Sequence, residues 1–222
     1  MKDARGREIK YLRVSVTDRC NLRCKYCMPN GIECVEHKDI LSFEEIRQIA
    51  VCGARLGITK IRLTGGEPLA RKGCPELIRM LKEIPGIEKI AMTTNGTLVR
   101  AILPELVEAG LDEINISLDT LDAGTFAAIT GQDLLPEVLL AIDAALAAGL
   151  KVKVNAVSMP DTDWIKPDSS TAAGTLLIIW LAKIDAASSC PPTCVLKKAL
   201  KPSIFLMLPT RIKNATNVIN SI

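Results

Sequence analysis

The chain has 222 residues, of which 48% are hydrophobic and 3% aromatic, so we expect one or two domains with a largely aliphatic core. A formal net charge of +3 is too small to indicate a nucleic-acid partner. Residues 1–10 lack the pattern of a signal peptide, and the longest apolar run, residues 176–181, is too short to cross a bilayer. These features favour a cytoplasmic protein without a membrane partner.

Short apolar segments alternate with longer amphipathic ones from residue 11 to about residue 157. Their richness in Val, Ile, Leu and Thr predicts strands at residues 11–16, 60–63, 89–93, 113–118 and 151–157. The intervening segments predict helices at residues 42–56, 75–83, 99–109, 122–129 and 136–148. Strands that alternate with helices indicate an α/β fold with a parallel sheet, which could be doubly wound or part of a (β/α) barrel.

Unusual residues follow four of the predicted strands in chain order. In both candidate architectures, ligands bind at the carboxyl ends of the strands. The pattern therefore predicts a ligand site on one rim of the sheet. The residues are a cysteine run after the first strand, Thr64-Gly65-Gly66-Glu67 after the second, Asn95-Gly96 after the third, and Ser117 and Asp119 at the end of the fourth.

The cysteine run has the spacing CxxxCxxC, with Cys20, Cys24 and Cys27. Three thiolates can hold three irons of a four-iron cubane and leave the fourth iron open, whereas a ferredoxin cluster uses four cysteines. A structural zinc site needs four closed ligands, and the only histidine, His37, lies in a charged stretch. The run therefore favours a [4Fe-4S] cluster over zinc. Of the other cysteines, we expect Cys52 in a helix core and Cys34 and Cys74 in loops.

With the cysteine run and the glycine turn both present, the chain resembles the radical S-adenosylmethionine (SAM) superfamily. Within it, residues 11–157 resemble the GTP 3',8-cyclases of molybdenum cofactor biosynthesis. The matching segments are Arg13-Val14-Ser15-Val16-Thr17-Asp18-Arg19-Cys20, Cys27-Met28-Pro29, Ile61-Arg62-Leu63-Thr64-Gly65-Gly66-Glu67-Pro68-Leu69, Thr93-Thr94-Asn95-Gly96, Asn115-Ile116-Ser117-Leu118-Asp119-Thr120-Leu121 and Val152-Lys153-Val154-Asn155.

The resemblance implies a partial (β/α) barrel and a cluster ligated by Cys20, Cys24 and Cys27, whose open iron binds SAM. It also implies the conversion of GTP into (8S)-3',8-cyclo-7,8-dihydroguanosine 5'-triphosphate, a lyase reaction that needs an external electron donor, and we expect a homodimer. The implied SAM contacts are Tyr26, Gly66 and Ser117, and the implied GTP contacts are Arg13, Arg62, Thr93 and Lys153.

Three of the implied GTP contacts are cationic residues within predicted strands. Arginine that faces the protein interior is costly unless it is paired. If Arg13, Arg62 and Lys153 all point inward, they form a cationic patch suited to a triphosphate. The alternative is that each points outward and meets a helix or solvent.

The resemblance stops near Val157, and the last part of the chain differs in composition. No Glu follows Glu137, and the late cysteines are only Cys190 and Cys194, where the family has a CxxC pair and a third cysteine for a second cluster. We therefore expect a radical SAM core over residues 1–158, an irregular divergent tail over 159–222, and no second cluster. Catalysis of the family's reaction by this polypeptide does not follow from the resemblance alone. The alternatives are another radical SAM enzyme, such as a peptide-modifying maturase, and a non-catalytic cluster-binding remnant.

Overall fold

The structure is a computed structural model that describes residues 5–27, 35–36 and 39–157. The predictions for Cys34, His37, Cys190, Cys194 and the tail 159–222 lie outside the described residues.

Five parallel strands form one sheet in the order β1-β2-β3-β4-β5. Each predicted strand is confirmed, with an end that differs by one or two residues. The consecutive order has no switch point, which rules out a doubly wound sheet for the described residues and leaves an open, barrel-like sheet. The strands are β1 (Tyr11–Ser15), β2 (Lys60–Thr64), β3 (Lys89–Thr94), β4 (Glu113–Ser117) and β5 (Lys151–Asn155).

Helices connect the successive strands, and the predicted helices are confirmed to within one residue at each end. Within the described part of the chain, no single helix is long and apolar enough to cross a membrane; the last two reach that length and composition only together, and a bend of 101° separates them. The helices are α1 (Phe43–Arg55), α2 (Cys74–Lys82), α3 (Val99–Glu108), α4 (Ala123–Thr130) and α5 (Leu135–Ala147), and a 3-10 helix, Pro68–Ala70, was not predicted.

Two cysteine predictions are wrong. Cys52 is exposed, because the buried stripe of α1 runs through Ile46 and Ala50 and position 52 lies off that stripe. Cys74 is the first residue of α2 rather than a loop residue, and it is only 1% exposed.

The two faces of the sheet differ sharply because side chains alternate along each strand. One face carries Ile61, Leu63, Ile90, Met92, Ile114 and Ile116, all completely buried. Parallel crossovers of one hand place their helices on the same side of a consecutively ordered sheet, so this apolar face is the helix-covered one. The opposite side, here called the polar face, carries Tyr11, Arg13, Ser15, Lys60, Arg62, Thr64, Lys89, Ala91, Thr93, Glu113, Asn115, Ser117, Lys151, Lys153 and Asn155.

Candidate functional site

The four residues implied as GTP contacts all lie on the polar face. Arg13 pairs with Arg62 in the register of β1 and β2, and Lys153 and Thr93 both lie level with Asn115 of β4. Arg62 is buried and donates to Thr93 Oγ1 at 3.2 Å, whereas Arg13 is exposed. None of the four therefore lies on the helix-covered face, although Arg13 is exposed to solvent, as the alternative also allows.

Glu113 lies among these cations as a buried carboxylate, only 2% exposed. Its oxygens lie 2.5 Å from Lys60 Nζ, 3.4 Å from Lys151 Nζ and 3.9 Å from Arg62 Nη2. Desolvation raises the pKa of Glu113, but the hydrogen bond from Lys60 and the nearby lysine charges outweigh it and hold the pKa below its usual value. Glu113 therefore stays ionised and compensates part of the positive charge.

Lys153 is a cation of this face whose ionised form is disfavoured by its surroundings. Desolvation lowers its pKa, Glu113 acts in the opposite direction, and Lys151, Lys60 and Arg62 lower it further. A polyanionic ligand placed here would reverse that balance, since opposite charges favour the ionised form of a lysine.

The glycine turn after β2 packs directly against the chain that leaves β1. A Cβ on Gly65 would lie 2.3 Å from the Thr17 carbonyl oxygen, and one on Gly66 would lie 2.4 Å from that of Arg19. The Gly66 and Glu67 amides donate to those same two carbonyls, each at 2.8 Å. The glycines are thus needed for close contact with the segment that leads into the cysteines, which is a reason independent of any ligand.

The cysteine loop, residues 20–27, rests on the end of α4. The amides of Arg23 and Lys25 donate to the carbonyls of Thr130 and Ile129 at 2.9 and 3.0 Å. These bonds fix the middle of the loop on α4, the helix that follows β4 in the chain. Ser117, another residue of the predicted rim site, ends β4 on the polar face.

Tyr26 of the cysteine loop is tied to the rim through Asp119. Its hydroxyl donates to Asp119 Oδ2 at 2.5 Å, and Asp119 Oδ1 accepts from the Val157 amide at 2.8 Å. Desolvation and the bond to Asp119 raise the pKa of Tyr26 above its ordinary range, so the phenol stays protonated. The Tyr26 side chain nevertheless remains 45% exposed, which leaves ring surface for a ligand.

The three thiols of the loop are the candidate ligands of a metal cluster. Burial raises the pKa of Cys24 to about 11, with further contributions from Cys20, Asp119 and Cys27. Among the described residues, no group of three or more His, Cys, Asp or Glu side chains is arranged to hold a single metal ion. A cluster spreads its thiolates over several irons, and bound iron would remove the penalty on the Cys24 thiolate.

Sequence reasoning missed several residues of this site. Lys60 and Glu113 lie two positions from Arg62 and Asn115 along their strands, so the alternation along a strand would have identified them. Asp119 and Asn95 were noted only as rim residues, and their contacts with the cysteine loop join residues 93 and 75 positions apart. The sequence contains no local signal for such contacts.

Two curated relatives are similar to the first part of the chain. A GTP 3',8-cyclase of Erythrobacter litoralis is 51% identical over 159 residues, which are 71% of this chain and 48% of the relative. A GTP 3',8-cyclase of Thermodesulfovibrio yellowstonii is 54% identical over 162 residues, which are 72% of this chain and 50% of the relative. The chain thus spans about half the length of the curated relatives it matches.

A solved structure shares the fold. SuiB of Streptococcus suis, bound to S-adenosylmethionine, has a TM-score of 0.64 and 19% sequence identity, over 79% of this chain and 38% of that one. At this identity the likeness concerns the fold alone. The sequence profile of the Radical SAM superfamily matches residues 14–166, more than half of the 222 residues. The chain therefore belongs to the Radical SAM superfamily.

Proposed function

We propose that this chain is the radical SAM core of a GTP 3',8-cyclase, which forms (8S)-3',8-cyclo-7,8-dihydroguanosine 5'-triphosphate from GTP. The observation that carries the proposal is the shared polar face of Arg13, Arg62, Thr93 and Lys153 below the cysteine loop. The relatives named GTP 3',8-cyclase, of whose length this chain spans about half, support the same substrate.

The superfamily implies a [4Fe-4S] cluster and SAM, and the site has residues that fit both. Cys20, Cys24 and Cys27 would hold the cluster, while Tyr26, Gly66 and Ser117 would contact SAM. Such a cluster, with SAM bound, would supply one-electron reductive chemistry that side chains alone cannot provide.

The chain's own residues would act by binding and positioning. Arg62 is held by Thr93 and Glu113, so its guanidinium is already oriented when a triphosphate arrives. Arg13 is exposed and can complete the contact from β1. Holding the ribose of GTP next to SAM matters because proximity and orientation supply much of the rate of such a reaction.

Further parts of the proposal concern cofactor number, partners and location. We propose one cluster in this chain without the family's second cluster, an external one-electron donor, a homodimer and a cytoplasmic location. Iron and sulfide content per chain tests the first, and the mass of the assembled protein in solution tests the dimer. Four irons per chain are expected, and eight would contradict the single cluster.

The deciding experiment is anaerobic reconstitution of the full chain with iron and sulfide, followed by SAM and a reductant with and without GTP. We expect 5'-deoxyadenosine whose formation depends on GTP, together with a cyclised nucleotide. A Cys24→Ser variant is the matched control and should bind little iron and release no 5'-deoxyadenosine.

Other outcomes would identify the alternatives. SAM cleavage that GTP does not affect would favour another radical SAM enzyme, such as a peptide-modifying maturase. A cluster that assembles but yields no cleavage under a strong reductant would favour a non-catalytic, cluster-binding protein. Either result would contradict the cyclase proposal for this chain.

A further inference from the structure

The Cys20 sulfur lies within hydrogen-bonding distance of two N–H groups. The Leu22 amide is 3.4 Å from Cys20 Sγ, and the side-chain amide nitrogen of Asn95 is 3.8 Å away. The first is a local contact within the cysteine loop. The second reaches the sulfur from the end of β3, 75 positions along the chain.

The direction in which the Asn95 amide points is fixed by its other partners. Asn95 Oδ1 accepts from the Thr97 backbone N–H at 3.0 Å and from the Thr97 hydroxyl at 2.7 Å. A backbone N–H can only donate, so the atom that faces it must be the oxygen. The Asn95 NH₂ group therefore faces Cys20.

A closed ring of side chains holds this arrangement. Asn95 Nδ2 donates to Asn21 Oδ1 at 2.8 Å, and Asn21 Nδ2 donates to Thr97 Oγ1 at 2.8 Å. With the Thr97 hydroxyl donating to Asn95, the three residues complete a cycle. One amide hydrogen of Asn95 is used within the cycle, and the other is available for the Cys20 sulfur.

The buried side chain of Glu67 also holds the backbone of Asn95. The Asn95 amide donates at 2.7 Å to Glu67 Oε2, a completely buried carboxylate whose other oxygen accepts from Thr94 Oγ1 at 2.8 Å. The position of the Asn95 side chain relative to Cys20 is therefore set by the fold before any ligand binds.

We infer that Asn95 is a positioning residue that donates to the Cys20 thiolate and raises the reduction potential of the bound cluster. The inference rests on the proposed [4Fe-4S] site. Hydrogen bonds to the ligating sulfurs are among the factors that set such potentials, and second-shell partners tune a metal centre. Adding one electron makes the cluster more negative, so an N–H donor stabilises the reduced form more than the oxidised form.

The test measures a potential rather than turnover. The wild-type chain, Asn95→Leu, Asn95→Asp and a Thr97→Ser control are reconstituted anaerobically, and the reduced cluster is followed by electron paramagnetic resonance during a redox titration. At a potential fixed at the wild-type midpoint, the reduced-to-oxidised ratio in Asn95→Leu should fall about threefold to tenfold, tenfold being 59 mV for a one-electron couple. The reduced-to-oxidised ratio in Asn95→Asp should fall further, because a carboxylate oxygen replaces the N–H donor. The ratio in Thr97→Ser should equal that of wild type.

The outcomes separate this inference from the proposed function. Variants that bind as much iron and sulfide as wild type at a lower potential support it. Should Asn95→Leu fail to fold, Asn95→Asp still retains an oxygen for the Thr97 N–H and gives the deciding titration. An unchanged potential in a loaded variant overturns the inference alone, whereas a wild-type chain that assembles no cluster overturns the proposed function and this inference together.

Discussion

The Tyr26 hydroxyl donates to Asp119 Oδ2 at 2.5 Å and thereby links the cysteine loop to the end of β4. The other Asp119 oxygen accepts from the Val157 amide just after β5, so one carboxylate holds the loop and the chain that follows the outermost strand. A buried acceptor that serves two donors is costly to remove.

Asp119→Ala should therefore loosen the cysteine loop. We expect a loss of about 1–3 kcal/mol in the free energy of unfolding and faster loss of iron to a chelator from the reconstituted protein. Asp119→Asn retains one oxygen acceptor, so its stability and its iron retention should lie between those of Asp119→Ala and wild type. Tyr26→Phe loses only the hydrogen bond to Asp119. Equal iron retention in Asp119→Ala and wild type would contradict the linking role.

Alanine substitutions at three glycines, two of them in the glycine turn, separate the effect of a steric clash from the effect of an unfavourable backbone conformation. Gly66→Ala places a methyl group 2.4 Å from the Arg19 carbonyl, whereas Gly149→Ala has a left-handed backbone (φ +78°) but nothing within 4 Å. Gly65→Ala combines a φ of +142° with a contact of 2.3 Å to Thr17.

We expect Gly149→Ala to cost about 1–2 kcal/mol from backbone strain alone, without loss of iron uptake. Gly66→Ala should cost about 1–3 kcal/mol and also reduce iron uptake, because it pushes the segment before Cys20 away from the turn. Gly65→Ala should be the most damaging of the three. Chemical denaturation and iron content measure both effects, and normal iron uptake in Gly66→Ala would show that the close contact is dispensable.

The periodicity of the sequence was sufficient to predict the strands of the sheet and part of its polar face. Each strand is short and rich in β-branched and aliphatic residues, and the parity of its residues places Arg62, Thr93 and Lys153 on one side once the register is known. The register itself depends on packing between strands, so the relation of Arg13 to Arg62 could only be posed as a question from the sequence.

The contacts that hold the cysteine loop were beyond sequence reasoning for a different reason. Tyr26–Asp119 and Cys20–Asn95 join residues that the fold brings together only after four and three strands, respectively, have paired. Cys52 shows the opposite error, in which local pattern misleads. Helix α1 buries only one stripe of its surface, and the hydrophobic character of Cys52 does not by itself show whether this residue lies on that stripe.

The carboxylate of Glu113 makes a pH-dependent contribution to stability. Its pKa is below the usual value in the folded protein, so it stabilises the fold above the unfolded-state value of about 4.3, and this contribution is lost as the pH falls through the folded-state pKa. Glu113→Gln should therefore be less stable than wild type by about 1–3 kcal/mol near pH 7.

The difference between Glu113→Gln and wild type should shrink as the pH falls from about 5 toward 3, because the wild-type carboxylate becomes protonated. Glu137→Gln is the matched control, since Glu137 pairs with Arg100 at 3.0 Å with both side chains nearly half exposed. Exposed pairs contribute little, so this variant should track wild type at every pH. A pH-independent difference for Glu113→Gln would show that packing, rather than charge, is responsible.

A substitution of Lys153 tests directly whether the cations of the polar face bind the triphosphate of GTP. Desolvation lowers its pKa, and a triphosphate would restore the charge, so part of the binding energy of GTP should depend on this residue. Lys153→Met should weaken GTP binding by about tenfold to a hundredfold, which corresponds to about 1.4–2.8 kcal/mol.

Arg79→Met, a change on the outer surface where Arg79 pairs with Glu76, is the control and should leave the affinity for GTP unchanged. Titration calorimetry of the reconstituted chain measures both, and raising the salt concentration should reduce the wild-type affinity more than that of Lys153→Met, because one ionic contact is already missing. If the two variants bind GTP equally well, the polar face does not hold the triphosphate, and the substrate assignment loses the observation on which it rests.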